Sequence, residues 1–140
     1  MNKEFIPYEQ ALELKELGFD KPCFGCYFHN NKDAVEYNPD GIPLNHNNRK
    51  SRISAPLYQQ AFRWFREKYD FHFSIDRERS QRDFEWGYNW SLYNFTGICS
   101  EYLTSHPNAP AGEWVYETYE EAELACLKKL IEIIKSNKKI

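Results

Sequence analysis

An alternating run of aromatic residues near the middle of the chain restricts its fold more than any other feature. Large apolar side chains occupy every second position from 84 to 92, and smaller or polar residues fill most positions between them. Because successive side chains of a strand point to opposite faces of a sheet, this period of two predicts a strand with one apolar face. Residues 71–75 alternate in the same way and predict a preceding strand. Trp114 and Tyr116 suggest one more short strand.

Three other segments carry the signals of helices. The first covers residues 7–17, with a proline in its first turn and a glycine directly after its end. The second follows Ser54, which is predicted to cap it. The third opens at Thr118, which with Glu121 forms a capping box.

The remaining segments complete a prediction of the fold class. Residues 23–29 and 34–37 are predicted to form a hairpin around the turn-forming residues 30–33. Residues 38–54 show no periodicity and are predicted to form a long loop. Helices interleaved with hairpins predict an α+β fold in a single domain, residues 1–140, with an antiparallel sheet of about four to five strands and three helices packed mainly on one face.

The distribution of arginine is as uneven as that of the aromatic residues. All seven arginines lie between Arg49 and Arg82, a window with nine Lys or Arg residues and four Asp or Glu residues. The whole chain has a net charge of −3, which argues against general nucleic-acid binding. The guanidinium group of arginine forms two-pronged hydrogen bonds to phosphates and stacks on aromatic rings. This local excess of positive charge therefore favours a site for an anionic, planar ligand.

The predicted ligand-binding surface combines the loop of residues 38–54 with a turn at residues 76–83. Five arginines are predicted to hold phosphates, namely Arg49, Arg52, Arg77, Arg79 and Arg82. Three aromatic residues are predicted to stack on a base, namely Tyr88, Tyr93 and Trp114. In the alternative interpretation, the acids Asp76, Glu78 and Asp83 neutralise the turn arginines as solvated pairs.

The sequence does not predict a catalytic residue, a metal or a cofactor. Cys23, Cys26 and His29 have metal-ligand types, but no second close pair follows them, so buried free thiols are the simpler interpretation. There is no nucleotide-binding glycine loop and no nucleophile elbow. His72, beside Asp70 and Asp76, is the one candidate for acid–base chemistry. Without a signal segment or a membrane-spanning apolar run, a cytoplasmic location is expected.

Three helical segments resemble an uncharacterised family of small α+β proteins from gut bacteria and their phages or mobile elements. They are FIPYEQALELKELGFD (5–20), LYQQAFRWFREKY (57–69) and YEEAELACLKKLIEII (119–134). The resemblance implies no catalytic residues. By association, it implies a small binding protein of the kind that inhibits host defence or sequesters nucleotide immune signals.

These observations lead to a functional hypothesis with two alternatives. The hypothesis is a non-catalytic binding module, a phage or mobile-element accessory protein that sequesters a phosphate-bearing nucleotide signal and so acts as an anti-defence sponge. The first alternative is a protein-interaction module that inhibits a host protein, and the second is a phosphoester hydrolase. The expected partner is therefore an anionic, nucleotide-like small molecule or a host protein, without membrane association, and the chain could form a homo-oligomer.

Overall fold

The computed structural model describes residues 2–80, 83–94, 101–104 and 114–138. In chain order, the helices and strands are α1 (Tyr8–Glu16), β1 (Gly25–Phe28), β2 (Asn31–Tyr37), β3 (Arg52–Ser54), α2 (Tyr58–Tyr69), β4 (Phe71–Arg79), β5 (Trp86–Asn94), β6 (Glu101–Thr104) and α3 (Tyr119–Lys138). Three helices with antiparallel strands confirm the α+β class. The strands belong to two sheets rather than to one, with the orders β2-β1-β3 and β4-β5-β6.

The chain divides into two compact units, Met1–Trp64 and Phe65–Lys138. In the first unit, β1 pairs with β2 on one side and with β3 on the other, both antiparallel. The face of this sheet that carries Tyr27 and Ile53 is buried, and the Tyr27 hydroxyl donates to the carbonyl of Ile6 at 2.8 Å. Apolar burial on this face stabilises the unit.

The predicted long loop contains a strand that its sequence does not announce. Residues 52–54 form β3 because the free edge of β1 offers backbone partners, with Cys26 opposite Ser54. The prediction that Ser54 caps α2 is wrong. Its hydroxyl oxygen accepts a hydrogen bond from the His46 backbone N–H at 2.9 Å, and the Leu57 N–H ahead of α2 donates to the Gln60 side chain at 2.9 Å instead.

The second unit is built on the predicted aromatic hairpin. β4 and β5 pair over their full length, and β4 continues to Arg79, beyond the predicted start of the turn. The predicted strand at Trp114 and Tyr116 is a single bridge, in which Tyr116 and Tyr88 exchange two backbone hydrogen bonds. α3 packs against β5 and β4. At its start, the Thr118 hydroxyl accepts from the Glu121 N–H at 3.1 Å, which is one of the two hydrogen bonds of the predicted capping box.

A glycine in β5 allows an indole ring to lie directly on the strand. A Cβ atom built on Gly87 would lie 2.0 Å from the Trp114 ring. The Trp114 indole N–H donates to the Glu85 carbonyl at 3.0 Å, and the Val115 N–H donates to the Asn89 side chain at 3.0 Å. These contacts fasten the segment ahead of α3 to β5, and only glycine at position 87 leaves room for them.

Among the helices of the described ranges, none combines the length and the apolar composition that a bilayer crossing requires.

Candidate functional site

The predicted arginines fall into two groups, one in each compact unit. Arg49 and Arg52 belong to the first unit, whereas Arg77 and Arg79 belong to the second. Arg82 lies outside the described residues. Arg77 and Arg79 sit on β4 itself and not on the predicted turn, because the strand extends to residue 79.

The second group forms a ladder of alternating guanidinium groups and rings, which we call the arginine–aromatic ladder: Arg77, Arg79, Phe84 and Trp86. The Arg79 guanidinium lies 4.8 Å from the centre of the Phe84 ring and 5.9 Å from that of Trp86. The Arg77 guanidinium lies 4.9 Å from the Trp86 ring. Cation–π contacts at exposed sites contribute about 0.5–1 kcal/mol each and restrict the rotamers of both partners. The ladder therefore favours conformations in which the two positive charges lie beside the rings.

Strand register explains why the members of the ladder meet. Arg79 pairs directly with Trp86 and Arg77 with Tyr88, and direct partners in antiparallel strands share a face. The Arg79 Nε–H also donates to the Phe84 carbonyl at 3.2 Å, which ties the strand to the turn. Phe84 has a φ of +62°, a left-handed conformation that is unfavourable for a residue with a bulky side chain.

The ladder is open to solvent and rich in unused hydrogen-bond donors. Phe84 is 63% exposed and Trp86 is 51% exposed, although both are large apolar residues. In the described part of the chain, no carboxylate forms an ion pair with Arg77 or Arg79. The alternative of solvated pairs with neighbouring acids therefore does not describe these two arginines. Their guanidinium groups are available to an external anion.

The three aromatic residues predicted to stack a base lie on different faces of the hairpin. Tyr88 shares the face of the ladder, and its half-buried ring meets Tyr119 edge-on at 5.9 Å. Tyr93 is five residues further along β5 and therefore points to the opposite face. Trp114 lies on that opposite face as well, over Gly87. Of the three, only Tyr88 is placed with Arg77 and Arg79.

The first group of arginines is held by its backbone. The Lys15 ammonium group donates to the carbonyls of Arg49 and Arg52, at 2.8 Å each. The Arg49 side chain is exposed, whereas Arg52 is half-buried with its guanidinium 5.0 Å from the centre of the Phe28 ring. No carboxylate of the described ranges pairs with Arg52. A half-buried cation without a counter-ion is the kind of group that recruits an anionic ligand.

Arg52 also lines a cleft of about 300 Å³ that lies within the first unit. The cleft, which we call the β-face cleft, is lined by Cys26, Phe28, Glu36, Tyr37, Asn38, Pro39, Asp40, Leu44, His46 and Arg52. Cys26 stands opposite Glu36 on one side and Ser54 on the other, so the cleft opens over the sheet face that is turned away from Tyr27 and Ile53. Sequence analysis missed this site, since His46, Asn38 and Glu36 form no spaced motif.

Asn38 and His46 hold the loop that borders the β-face cleft. The Asn38 amide N–H groups donate to the carbonyls of Cys23 and Ile42, at 3.0 and 2.5 Å. Its side-chain oxygen is therefore the acceptor for His46 Nε2, at 2.9 Å. This network assigns the proton of the neutral imidazole to Nε2 and leaves Nδ1 as an acceptor.

The charge state of His46 follows from its surroundings. Its side chain is only 4% exposed. Burial lowers the pKa of His46 below its ordinary value of 6.5, and the positive charges of Arg52 and Arg49 lower it further. The imidazole is consequently neutral at pH 7 and serves the cleft as a hydrogen-bonding group.

Two cysteines of the first unit are buried thiols, as predicted. Burial raises the pKa of Cys23 to about 12 and raises the pKa of Cys26 as well. His29 is engaged elsewhere: its Nε2–H donates to the Lys50 carbonyl at 2.8 Å, and its Nδ1 lies 3.3 Å from the Tyr8 hydroxyl. Among the described residues, no three potential metal ligands cluster.

His72 makes the contact that its sequence neighbours suggested. Its Nε2 lies 3.0 Å from an oxygen of Asp70, and both side chains are partly exposed. His72 pairs with Tyr93, so it lies on the face opposite Arg77 and Arg79. The pair is therefore separated by the sheet from the arginine–aromatic ladder.

Comparison with known proteins gives no match with a protein-family model, with a curated protein or with a solved structure. The family resemblance of the three helices stays a prediction.

Proposed function

We propose that this protein is a non-catalytic binding module whose arginine–aromatic ladder captures a phosphate-bearing, nucleotide-like ligand. One observation carries the proposal: Arg77 and Arg79 are stacked on exposed rings and have no carboxylate partner in the described part of the chain. Guanidinium groups bind phosphate oxygens in two-pronged geometry. Stacking holds these groups in place before the ligand arrives, which reduces the entropy lost on binding.

Exposed rings beside the guanidinium groups suit the planar part of such a ligand. About half of the surface of residue Trp86 is accessible to solvent, and Phe84 is more exposed still. Stacking of a base on an aromatic side chain contributes about 1–3 kcal/mol. The ladder thus combines exposed ring surface and positive charge at one end of the β4–β5 hairpin. A nucleotide requires both.

Binding without turnover fits the position of the acid–base candidate. His72 and Asp70 lie near the start of β4, and His72 points away from the ladder face. A ligand held by Arg77 and Arg79 would not meet that imidazole. Carried by a phage or mobile element, such a module would act by withholding a nucleotide signal from host defence.

Thermal-shift and calorimetric measurements with ADP, ADP-ribose and cyclic dinucleotides test this function. A ligand at 100 times its Kd should stabilise the chain by about 2.7 kcal/mol. We expect Arg77→Ala and Arg79→Ala each to weaken binding by at least about tenfold, since a hydrogen bond to a charged group contributes about 1.5–3 kcal/mol. Mass analysis should recover the bound ligand chemically intact.

The control is Arg66→Ala, which removes an exposed arginine from α2. It should leave the affinity unchanged. Equal losses in all three variants would show a diffuse charge effect, and the absence of stabilisation by every nucleotide would contradict the proposal.

A protein-interaction module is the second candidate, supported by the same exposed residues. Trp and Arg are enriched at the energetic centres of protein interfaces, and Trp86 with its two arginines matches that composition. A stoichiometric complex with a host protein that Trp86→Ala abolishes would favour this function over nucleotide capture.

A further inference from the structure

The β-face cleft carries charges of both signs, and this distinguishes it from the arginine–aromatic ladder. Arg52 stands on β3, and Glu36 stands on β2, with β1 between them. The backbones of the two outer strands are therefore about 10 Å apart at ordinary strand spacing. Asp40 adds a second carboxylate on the loop side. From these positions, we propose that the cleft binds a free α-amino acid with an apolar side chain.

Arg52 supplies the site for the carboxylate of the ligand. Its guanidinium stacks on Phe28, and no carboxylate of the described residues pairs with it, so its N–H donors are available. A guanidinium can donate two parallel hydrogen bonds to the two oxygens of a planar carboxylate. A lysine ammonium group cannot form this two-pronged contact. Because Arg52 is half-buried, an ion pair formed there is screened less by solvent than one on an open surface.

Glu36 and Asp40 supply the acceptors for an ammonium group. Asp40 uses one carboxylate oxygen for the Ile42 N–H at 3.1 Å and keeps the other available. The two acids also select against phosphate-rich ligands, because a polyanion held by Arg52 would be repelled from the opposite wall. The neutral imidazole of His46 adds no positive charge that would offset this repulsion.

Cys26 lines the cleft on the central strand β1, between Glu36 on β2 and Arg52 on β3. Burial raises the pKa of the Cys26 thiol, the charge of Arg52 lowers it, and that of Glu36 raises it. The Cys26 thiol therefore lies close enough to both Arg52 and Glu36, the two residues that the amino acid would contact, for each charge to change its pKa. It also provides a chemical reporter, since a ligand above it would slow its modification by a small reagent.

Size and lining limit the ligand to a small molecule with an apolar part. The volume of about 300 Å³ is at the lower end for ligand pockets. Phe28, Pro39 and Leu44 contribute apolar surface, and Leu44 is 50% exposed. An aliphatic or aromatic side chain would cover that surface, while the charged groups of the amino acid engage Arg52 and the two acids.

The test uses L-phenylalanine and L-leucine as probes of the full chain, followed by backbone NMR and by the rate of Cys26 methanethiolation. We expect shifts confined to β1–β3 and residues 38–46, with Cys26 modified at least about threefold more slowly at saturation. Phenylpropionate lacks the ammonium group and phenethylamine lacks the carboxylate, so each should bind at least about tenfold more weakly. Comparable binding of either analogue would overturn the proposal.

Variants separate this site from the ladder. Arg52→Lys retains a positive charge but loses the fork and should weaken phenylalanine binding by about tenfold. Glu36→Gln changes an exposed side chain and should weaken it by about threefold while leaving the melting temperature unchanged. The matched control, Arg77→Ala in the other unit, should bind phenylalanine as the native chain does. An unchanged phenylalanine Kd in Arg52→Lys, or no shifts with either amino acid at 10 mM, would refute the inference.

Discussion

The contact between Gly87 and Trp114 predicts that one methyl group at position 87 is destabilising. In Gly87→Ala, the new Cβ would lie 2.0–2.4 Å from three atoms of the indole ring, far inside ordinary contact distance. The ring must move, and its hydrogen bond to the Glu85 carbonyl is at risk. Overpacking costs about 1–3 kcal/mol, and a lost hydrogen bond costs about 0.5–1.5 kcal/mol. We therefore expect a loss of about 2–3 kcal/mol.

The same substitution should have the opposite sign once the ring is removed. In the Trp114→Ala background, Gly87→Ala meets no indole, and it reduces the conformational freedom of the unfolded chain. Such a change stabilises a protein by about 0.4–1 kcal/mol when the backbone tolerates it. Gly87 does not have a left-handed φ, so alanine suits its backbone.

Urea denaturation of the four chains (native, two single variants and the double variant) measures the free energies of unfolding, and thermal denaturation measures the melting temperatures. The melting temperature of Gly87→Ala should fall by roughly 4–12 °C if each kcal/mol corresponds to about 2–4 °C. The decisive quantity is the coupling energy, which we expect to be at least about 2 kcal/mol. Additive effects would refute the reasoning, because they would mean that the ring and the methyl group never compete for the same space.

Two further predictions concern His46 and Phe84. Because the pKa of His46 is lowered in the folded chain, the unfolded state binds a proton more readily, and stability is lost as the pH falls below 6.5. His46→Gln should remove this component, about 1.4 kcal/mol for each unit by which the pKa is lowered, and parallel pH profiles in urea would contradict the assignment. Phe84→Gly should be about 1 kcal/mol more stable than Phe84→Ala by thermal denaturation, because only glycine adopts a φ of +62° without strain. Equal stability of the two variants would argue against this backbone strain.

Local signals in the sequence were sufficient for most of the regular elements. α1 begins at Tyr8, directly after Pro7, and ends at Glu16 with Leu17 as its C-cap, just before Gly18, because proline and glycine suit the start and the stop of a helix. The period of two located β5, since alternation is a direct consequence of the pleat. β3 could not be predicted, because its three residues carry no pattern of their own and pair only with an edge that β1 provides.

The sites were less accessible to sequence reasoning than the elements. Alternation placed Trp86 and Trp90 on one face but did not reveal that Trp90 is buried while Trp86 is 51% exposed. That difference depends on how far packing covers the strand, which is a tertiary property. Likewise, nothing in the spacing joined His46 to Asn38, whose contact depends on the course of the loop between them.

The side chain of Lys15 anchors the segment that carries Arg49 and Arg52 through two hydrogen bonds to its main chain. Lys15 binds the main-chain carbonyls of Arg49 and Arg52, which any amino acid at those positions would supply. These two hydrogen bonds therefore do not depend on the side chains at positions 49 and 52, and the anchor of this loop on α1 should survive substitutions there. A library randomised at these two codons would vary the side chains of the loop while this anchor is kept.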